Sequence, residues 1–303
     1  VSRFVQCRMF KRVPTEIDIY HEPSYLPLSF KHRLVLTVHD ISFICHPELH
    51  SEEMIHALKF FPEAVHRADV IITDSHFTKH ELTRCLQVDV SKIHPVHLGV
   101  TSSYHPRTKQ ALQPCLQHYG LDYQQYILVV GTLEPRKNLQ LVFNAYHAMS
   151  SVFRRRYPLV IIGMNGWGAY QLDSTMQSIL NKGLLHLLGY VPAEHLPSLY
   201  AAAKLFIYPS IYEGFGLPPL EAMASGIPVI TSNCASLPEV VGNAAIQVSI
   251  SDVDGLKQAI SAIIEDDTMA GKMVRDGLLR AKLFSWERCA ASTVAVYKRL
   301  LGV

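Results

Sequence analysis

Short β-rich apolar runs alternate, through most of this chain, with stretches whose apolar residues recur every three or four positions. The runs read as strands at Ile17–His21, Arg33–Val38, Val70–Thr73, Ile93–His97, Tyr126–Gly131, Pro158–Gly163, Leu185–Tyr190, Leu205–Pro209 and Pro228–Thr231. Helical spacing lies between them near Glu52–Arg67, Phe77–Leu86, Leu139–Val152, Glu194–Ala203 and Leu217–Ser225, and after Ile250 it continues almost to Leu301. Ser51 ahead of Glu52 and Glu53, and Ser75 ahead of Phe77, are helix-start signals. Strands alternating with helices predict an α/β protein of parallel sheets covered by helices.

The pattern turns polar and irregular over Tyr104–Cys115, which predicts a boundary between an amino-terminal α/β domain, residues 1–107, and a second, residues 108–284. A length of 303 residues suits two domains, and 49% hydrophobic with 18% charged residues suits well-buried ones. A net charge of +2 gives no basis for nucleic acid as a partner. The six cysteines (Cys7, Cys45, Cys85, Cys115, Cys234, Cys289) include no C-x-x-C and are spread along the chain. That favours free thiols in a reducing cytoplasm over a disulfide framework or zinc site. There is no secretory pattern and no apolar run of the roughly 20 residues that a membrane span needs. A cytoplasmic protein is expected.

The densest chemical signal is Ile211–Glu221, in which Glu213 and Glu221 flank a Gly214-Phe215-Gly216 turn and a double proline. Glycines let the backbone approach a ligand, and Pro218 and Pro219 suit a first helical turn, where their missing donors cost nothing. The helix start at Leu217 then offers positive charge to an anion such as a pyrophosphate. The two carboxylates can accept hydrogen bonds from sugar and ribose hydroxyls. A second turn, Gly131–Asn138, follows a strand and places Arg136 and Lys137 at a sheet's carboxyl edge, suited to phosphate. His39-Asp40 ends the strand Arg33–Val38 at the same kind of edge.

Other patterns have plainer readings. Asp252-Val253-Asp254 matches a D-x-D metal–nucleotide motif, but it opens a helix after Ser251 and reads as an N-cap. His76, His80 and Glu81 lack a third histidine or comparable ligand, and His46 and His50 bracket Pro47 in a loop. Gly163, Gly166 and Gly168 run in the order G-x-x-G-x-G, not the dinucleotide fingerprint, which disfavours a nicotinamide oxidoreductase.

Gly131–Asn138, Gly189-Tyr190-Val191 and Tyr208–Glu221 with Ala224–Val229 resemble family 4 glycosyltransferases of the GT-B fold, with Glu213 and Glu221 at the family's E-x7-E positions. Within the family the chain looks most like bacterial mannosyltransferases of surface polysaccharide synthesis. The resemblance implies two Rossmann-like domains facing a cleft, with the last helix, residues 285–303, returning to the first domain. It implies a retaining hexosyl transfer from a nucleotide-diphosphate sugar, GDP-mannose favoured, to a glycan or lipid-linked acceptor, with no cofactor and no metal. Lys137 and Arg136 would bind the diphosphate, with Thr132 where many members carry Arg. Glu221 would hold the ribose, and Gly189, Tyr190 and Val191 would edge the base. Glu213, with the backbone of Gly214, Phe215 and Gly216 ahead of Leu217, would hold the transferred sugar. His39 would stand at the reaction centre. The family usually opens with a strand and glycine-rich loop; this chain starts at Val1-Ser2-Arg3, so its amino-terminal domain is expected to be incomplete. Peripheral membrane association fits a lipid-linked acceptor, although Arg3, Arg8, Lys11 and Arg12 are few. A non-catalytic nucleotide-sugar binder and another sugar-nucleotide enzyme on the same fold remain alternatives.

Overall fold

The computed structural model describes residues 17–27, 32–164, 166 and 174–303. Cys7, Arg3, Arg8, Lys11, Arg12 and Gly168, and the opening segment expected to be incomplete, lie outside the described residues. Contacts divide the chain into two compact units: residues up to His97 together with Cys289–Val303, and Leu98–Arg288.

In the first unit, β1 (Ile19–Glu22), β2 (Arg33–Val38), β3 (Val70–Thr73) and β4 (Ile93–Pro95) form a parallel sheet in the order β1-β2-β3-β4. Between them run α1 (Ser42–Cys45), α2 (Glu52–Ala57), α3 (Phe61–Arg67) and α4 (His76–Leu86). The periodic stretch Glu52–Arg67 is thus two helices: it breaks at Leu58–Phe60, and Pro62 restarts it within a first turn. Leu36, Val38, Phe61, Ile71 and Leu82 fill the core on one face of the sheet, and Val35, Val70, Ile72 and Val96 cover the other.

The second unit carries α5 (Lys109–Tyr119), β5 (Ile127–Val130), α6 (Leu139–His147), α7 (Ser151–Arg156), β6 (Leu159–Ile162), α8 (Ser174–Asn181), β7 (Leu185–Gly189), α9 (Leu196–Ala202), β8 (Leu205–Tyr208), α10 (Leu217–Ala224), β9 (Val229–Ser232), α11 (Leu237–Val241), β10 (Ile246–Val248), α12 (Val253–Glu265) and α13 (Asp267–Ala281). Its sheet is parallel in the order β10-β9-β8-β5-β6-β7. Alternate residues of each central strand enter opposite cores, Leu128, Val160 and Phe206 on one face, Ile127, Ile161 and Ile207 on the other. That two-sided burial is why the strands read as unbroken apolar runs.

Three expectations need correction. The boundary falls at His97, earlier than residue 107, because Leu98, Val100 and Tyr104 already pack against the second unit's core. The tract read as irregular up to Cys115 becomes α5 from Lys109, capped by the Thr108 hydroxyl and ended by left-handed Gly120; its two buried apolar side chains, Leu112 and Leu116, are too few to announce it. The last helix, α14 (Trp286–Leu301), expected to return to the first domain from residue 285, joins the first unit only from Cys289 onward. Val296, with Cys289, Tyr297 and Leu300, packs beside Val35 and Ile72. Among the described residues no helix is long and apolar enough to cross a membrane.

Candidate active site

The strand order of the second sheet decides where a ligand site can lie. From β5 the chain steps outward through β6 and β7, then returns to β5's other side for β8, β9 and β10. The loops after β5 and β8 therefore leave in opposite directions, and ligands of open α/β sheets sit at such a switch point. β5 and β8 pair only at Ile127–Leu205 and Leu128–Phe206, so beyond Leu128 the two strand ends are free to diverge. The Arg136-Lys137 turn follows β5 and the Glu213 turn follows β8.

These two turns meet in a buried ionic cage. Lys137 Nζ donates to Glu213 Oε1 at 2.6 Å and to the Tyr208 hydroxyl at 2.8 Å. Tyr208 in turn donates to Oε1 at 2.8 Å, and the Ser210 hydroxyl does so at 2.6 Å. Arg136 reaches Glu213 Oε2 at 2.9 Å, Glu134 at 2.7 Å and the Tyr212 carbonyl at 2.9 Å. Burial by itself would raise the Glu213 pKa, but Lys137 and Arg136 outweigh it and hold the carboxyl at about 2. The carboxylate is permanently ionised near neutral pH. Burial pushes the Tyr208 phenol well up, so it stays a neutral donor.

Backbone geometry supports the cage. A side chain on Gly163 would strike the Gly131 carbonyl, its Cβ falling 2.0 Å from that oxygen, so the ends of β5 and β6 can pack this closely only with glycine there. The Ile211 amide donates to the Arg136 carbonyl at 2.8 Å, and Asn138 ties its turn to the Pro209 and Ile250 carbonyls. The Ser236 hydroxyl lies 2.9 Å from the Glu213 carbonyl and 2.6 Å from that of Phe215. Gly216, at φ +118, ends the loop and starts α10, whose first turn holds the two prolines as expected.

Glu221 sits in a different setting from Glu213. Burial raises its pKa, and the Tyr200 and Tyr104 hydroxyls beside it only partly compensate. Burial, with the Glu221 carboxyl beside it, pushes the Tyr200 phenol well up. Gly189 ends β7 at φ +63 with open space where a Cβ would stand; Tyr190 is 73% exposed and Val191 is buried. Thr132 is exposed at the rim of the β5 loop.

His39 follows β2, but its partner is not the adjacent Asp40. Asp40 accepts from the Ser42 amide and hydroxyl at 3.0 and 2.8 Å and fastens the start of α1. His39 Nδ1 instead meets Asp74 Oδ2 at 2.8 Å, and Nε2 lies 3.0 Å from the Pro23 carbonyl. Successive residues at a strand end point to opposite sides, whereas Val38 and Thr73 are register partners and bring the next residues of β2 and β3 together. The bond to Asp74 raises the His39 pKa against the effect of burial. Burial raises that of Asp74, whose side chain is 5% exposed against 47% for His39.

Sequence reasoning missed Asp74, and Tyr208, Ser210 and Glu134 as cage members. Two strands ending in His39 and Asp74 were the available signal for the dyad; strand adjacency, needed to use it, is not written in either segment. The plainer reading of the D-x-D pattern holds, and Glu81 is engaged elsewhere than with His76 or His80. Asp252 accepts from the Gly255 amide at 2.8 Å as the N-cap of α12, and Glu81 pairs with Arg84.

Two helix-covered parallel sheets, one carrying a strand-end site at its switch point, are the architecture of the GT-B glycosyltransferases, and solved members superpose on the chain. Sucrose-phosphate synthase from Thermosynechococcus elongatus matches with a TM-score of 0.80 and 21% identity, over 99% of this chain and 77% of that one. Anabaena HepE in complex with UDP-glucose matches with a TM-score of 0.74 and 18% identity, over 90% of this chain and 73% of that one. Residues 119–278 match the family model of glycosyl transferases group 1. The chain is 42% identical to the O-antigen chain mannosyltransferase B of Escherichia coli over 284 residues, 93% of this chain and 74% of that protein. The chain belongs to the group 1 glycosyl transferases, and it is a hexosyltransferase.

Proposed function

We propose that this protein transfers mannose from GDP-mannose to a growing glycan or lipid-linked acceptor in surface polysaccharide synthesis, with retention of anomeric configuration. The observation that carries the reading is the Lys137–Glu213 contact of 2.6 Å at the switch point of a sheet whose family moves sugars. Support for mannose comes from the likeness to an O-antigen mannosyltransferase, and support for a nucleotide-diphosphate donor from the UDP-glucose held by a protein of the same fold.

Two cations, Lys137 and Arg136, face two carboxylates, Glu213 and Glu134, so the cage is close to neutral. It attracts a diphosphate less by net charge than by fixed donors. Lys137 spends two of its three N–H bonds on Glu213 and Tyr208 among the described residues; the third is the one we assign to the donor phosphate. Pro218 and Pro219 have no N–H to offer, so at the start of α10 it is the Leu217 N–H that takes a further phosphate oxygen. Glu213 Oε1 already accepts three hydrogen bonds and Oε2 pairs with Arg136 at 2.9 Å, so a sugar hydroxyl would share Oε2 with Arg136. Glu221 receives the ribose diol, and Gly189–Val191 flank the base. Thr132 lies at the mouth, with Arg136 in reserve for charge.

Neither glutamate is placed to serve as a nucleophile: one is caged and the other enclosed by tyrosines. Same-face substitution follows, in which the departing phosphate oxygen takes the acceptor's proton while Lys137 and the helix start stabilise its charge. His39, aimed by Asp74, acts at the reacting sugar. The roles need no cofactor and no metal. The test supplies GDP-mannose or UDP-glucose, with and without a mannose-terminated lipid-linked acceptor, and follows products by NMR. An α-mannosyl product from GDP-mannose is expected. Inverted product, or release of free mannose unaffected by acceptor, would overturn the proposal.

A further inference from the structure

Cys45 and Cys85, separated by 40 positions, bring their sulfurs to 3.1 Å within the first unit. Cys45 is the last residue of α1, and Cys85 lies in the last turn of α4. Both are free thiols, and both residues are half-buried rather than enclosed. The segments they end begin at the dyad: His39 and Asp40 lead into α1, and Asp74 and Ser75 lead into α4, where the Ser75 hydroxyl caps the Thr78 amide at 3.1 Å. Glu81 completes a cluster whose ligand atoms all lie within 4.8 Å, which raises the question of a soft metal ion. Arg84 answers it: its guanidinium holds Glu81 through both oxygens at 2.8 and 3.0 Å, leaving two thiols as the available donors, fewer than a zinc site uses.

We propose that Cys45 and Cys85 are a reversible oxidation site that takes a small-molecule disulfide of the glutathione type and closes to an intramolecular disulfide. The Cys85 thiolate attacks one sulfur of glutathione disulfide; one glutathione leaves as thiolate and collects the proton that Cys85 lost. Cys45 then attacks the Cys85 sulfur, its S–S bond to the second glutathione breaks, and that glutathione leaves with the proton from Cys45. Two protein thiols lose two electrons, and one glutathione disulfide becomes two glutathiones. Burial, with Cys85 and Glu81 beside it, pushes the Cys45 thiol far up and makes it the poorer first attacker, so the first step is assigned to Cys85, and the 3.1 Å between the sulfurs places Cys45 to resolve the mixed disulfide. The closed bond would tie the segment that follows His39 to the segment that follows Asp74.

The test incubates the full chain across glutathione redox ratios, quenches free thiols with an alkylating agent and maps peptides by mass. A Cys45–Cys85 linked peptide should rise with the oxidised fraction and vanish on adding dithiothreitol. Cys45→Ser should trap glutathione on Cys85, and Cys85→Ser should take up none at Cys45. No linked peptide under oxidising ratios while Cys115, Cys234 or Cys289 reacts would overturn the proposal. So would glutathione persisting on Cys85 of the unaltered chain, or zinc added to the reduced protein that blocks alkylation of both thiols stoichiometrically.

Discussion

The two strand-end clusters solve opposite electrostatic problems. After β5 and β8, Glu213 is buried and kept ionised by two cations and two hydroxyls; after β2 and β3, Asp74 is as deeply buried but has one half-exposed histidine to offset the cost. The first holds a fixed charge pattern over the whole physiological range. The second has a member whose proton can come and go, since His39 normally titrates near neutrality and Asp74 moves that upward. A rigid cage suits a ligand whose charge does not change, such as a diphosphate. An oriented imidazole suits contact with hydroxyls. The lesson is that similar strand-end positions acquire different chemistry from the number of opposite charges the neighbouring strand supplies.

The largest expected effect comes from breaking the cage. Glu213→Ala should lower transfer on the order of 100-fold or more, because it frees two cations buried for one purpose; steady-state rates read this, and near-normal turnover would contradict the assignment. His39→Ala should cost roughly as much, about 100-fold, and Asp74→Asn about 10-fold. Adding Asp74→Asn to His39→Ala should cost nothing more, whereas additive losses would show that Asp74 acts other than through His39.

Tyr208→Phe removes a hydroxyl that accepts from Lys137 and donates to Glu213, and a fall in kcat of about 10-fold or more is expected from the loss of these two charge-assisted hydrogen bonds. An unchanged rate would make Tyr208 a packing residue. Acid should loosen the cage in a defined window. A carboxyl depressed to about 2 stabilises the fold above the unfolded value near 4.3, and that contribution is lost as pH falls from there through 2. Denaturant titrations of the wild type should show this slope, and Glu213→Gln should flatten it. Smallest of all, Asp252→Ala should remove an N-cap, lower stability by about 1 kcal/mol and leave transfer unchanged. A large loss of transfer there would reopen a metal-binding role for the D-x-D pattern.

Most strands were legible because a strand buried on both faces writes an unbroken apolar run, as Arg33–Val38 and Val70–Thr73 did to the residue. Ile246–Val248 was not, being a three-residue edge strand that is only partly buried. The broken helices at Leu58–Phe60 and Ala148–Ser150 escaped notice because a cap changes the backbone without disturbing apolar spacing.

What the sequence determined by itself is the local chemistry: which segments become strands, which turns carry glycine, which residue types stand at strand ends, and the family those turns spell out. Tertiary structure alone decided the pairings. Lys137 and Glu213 are 76 residues apart, His39 and Asp74 are 35, and Cys45 and Cys85 are 40. Each contact depends on which strands or helices become neighbours, and that follows from burying all the apolar faces at once, a condition no single segment contains.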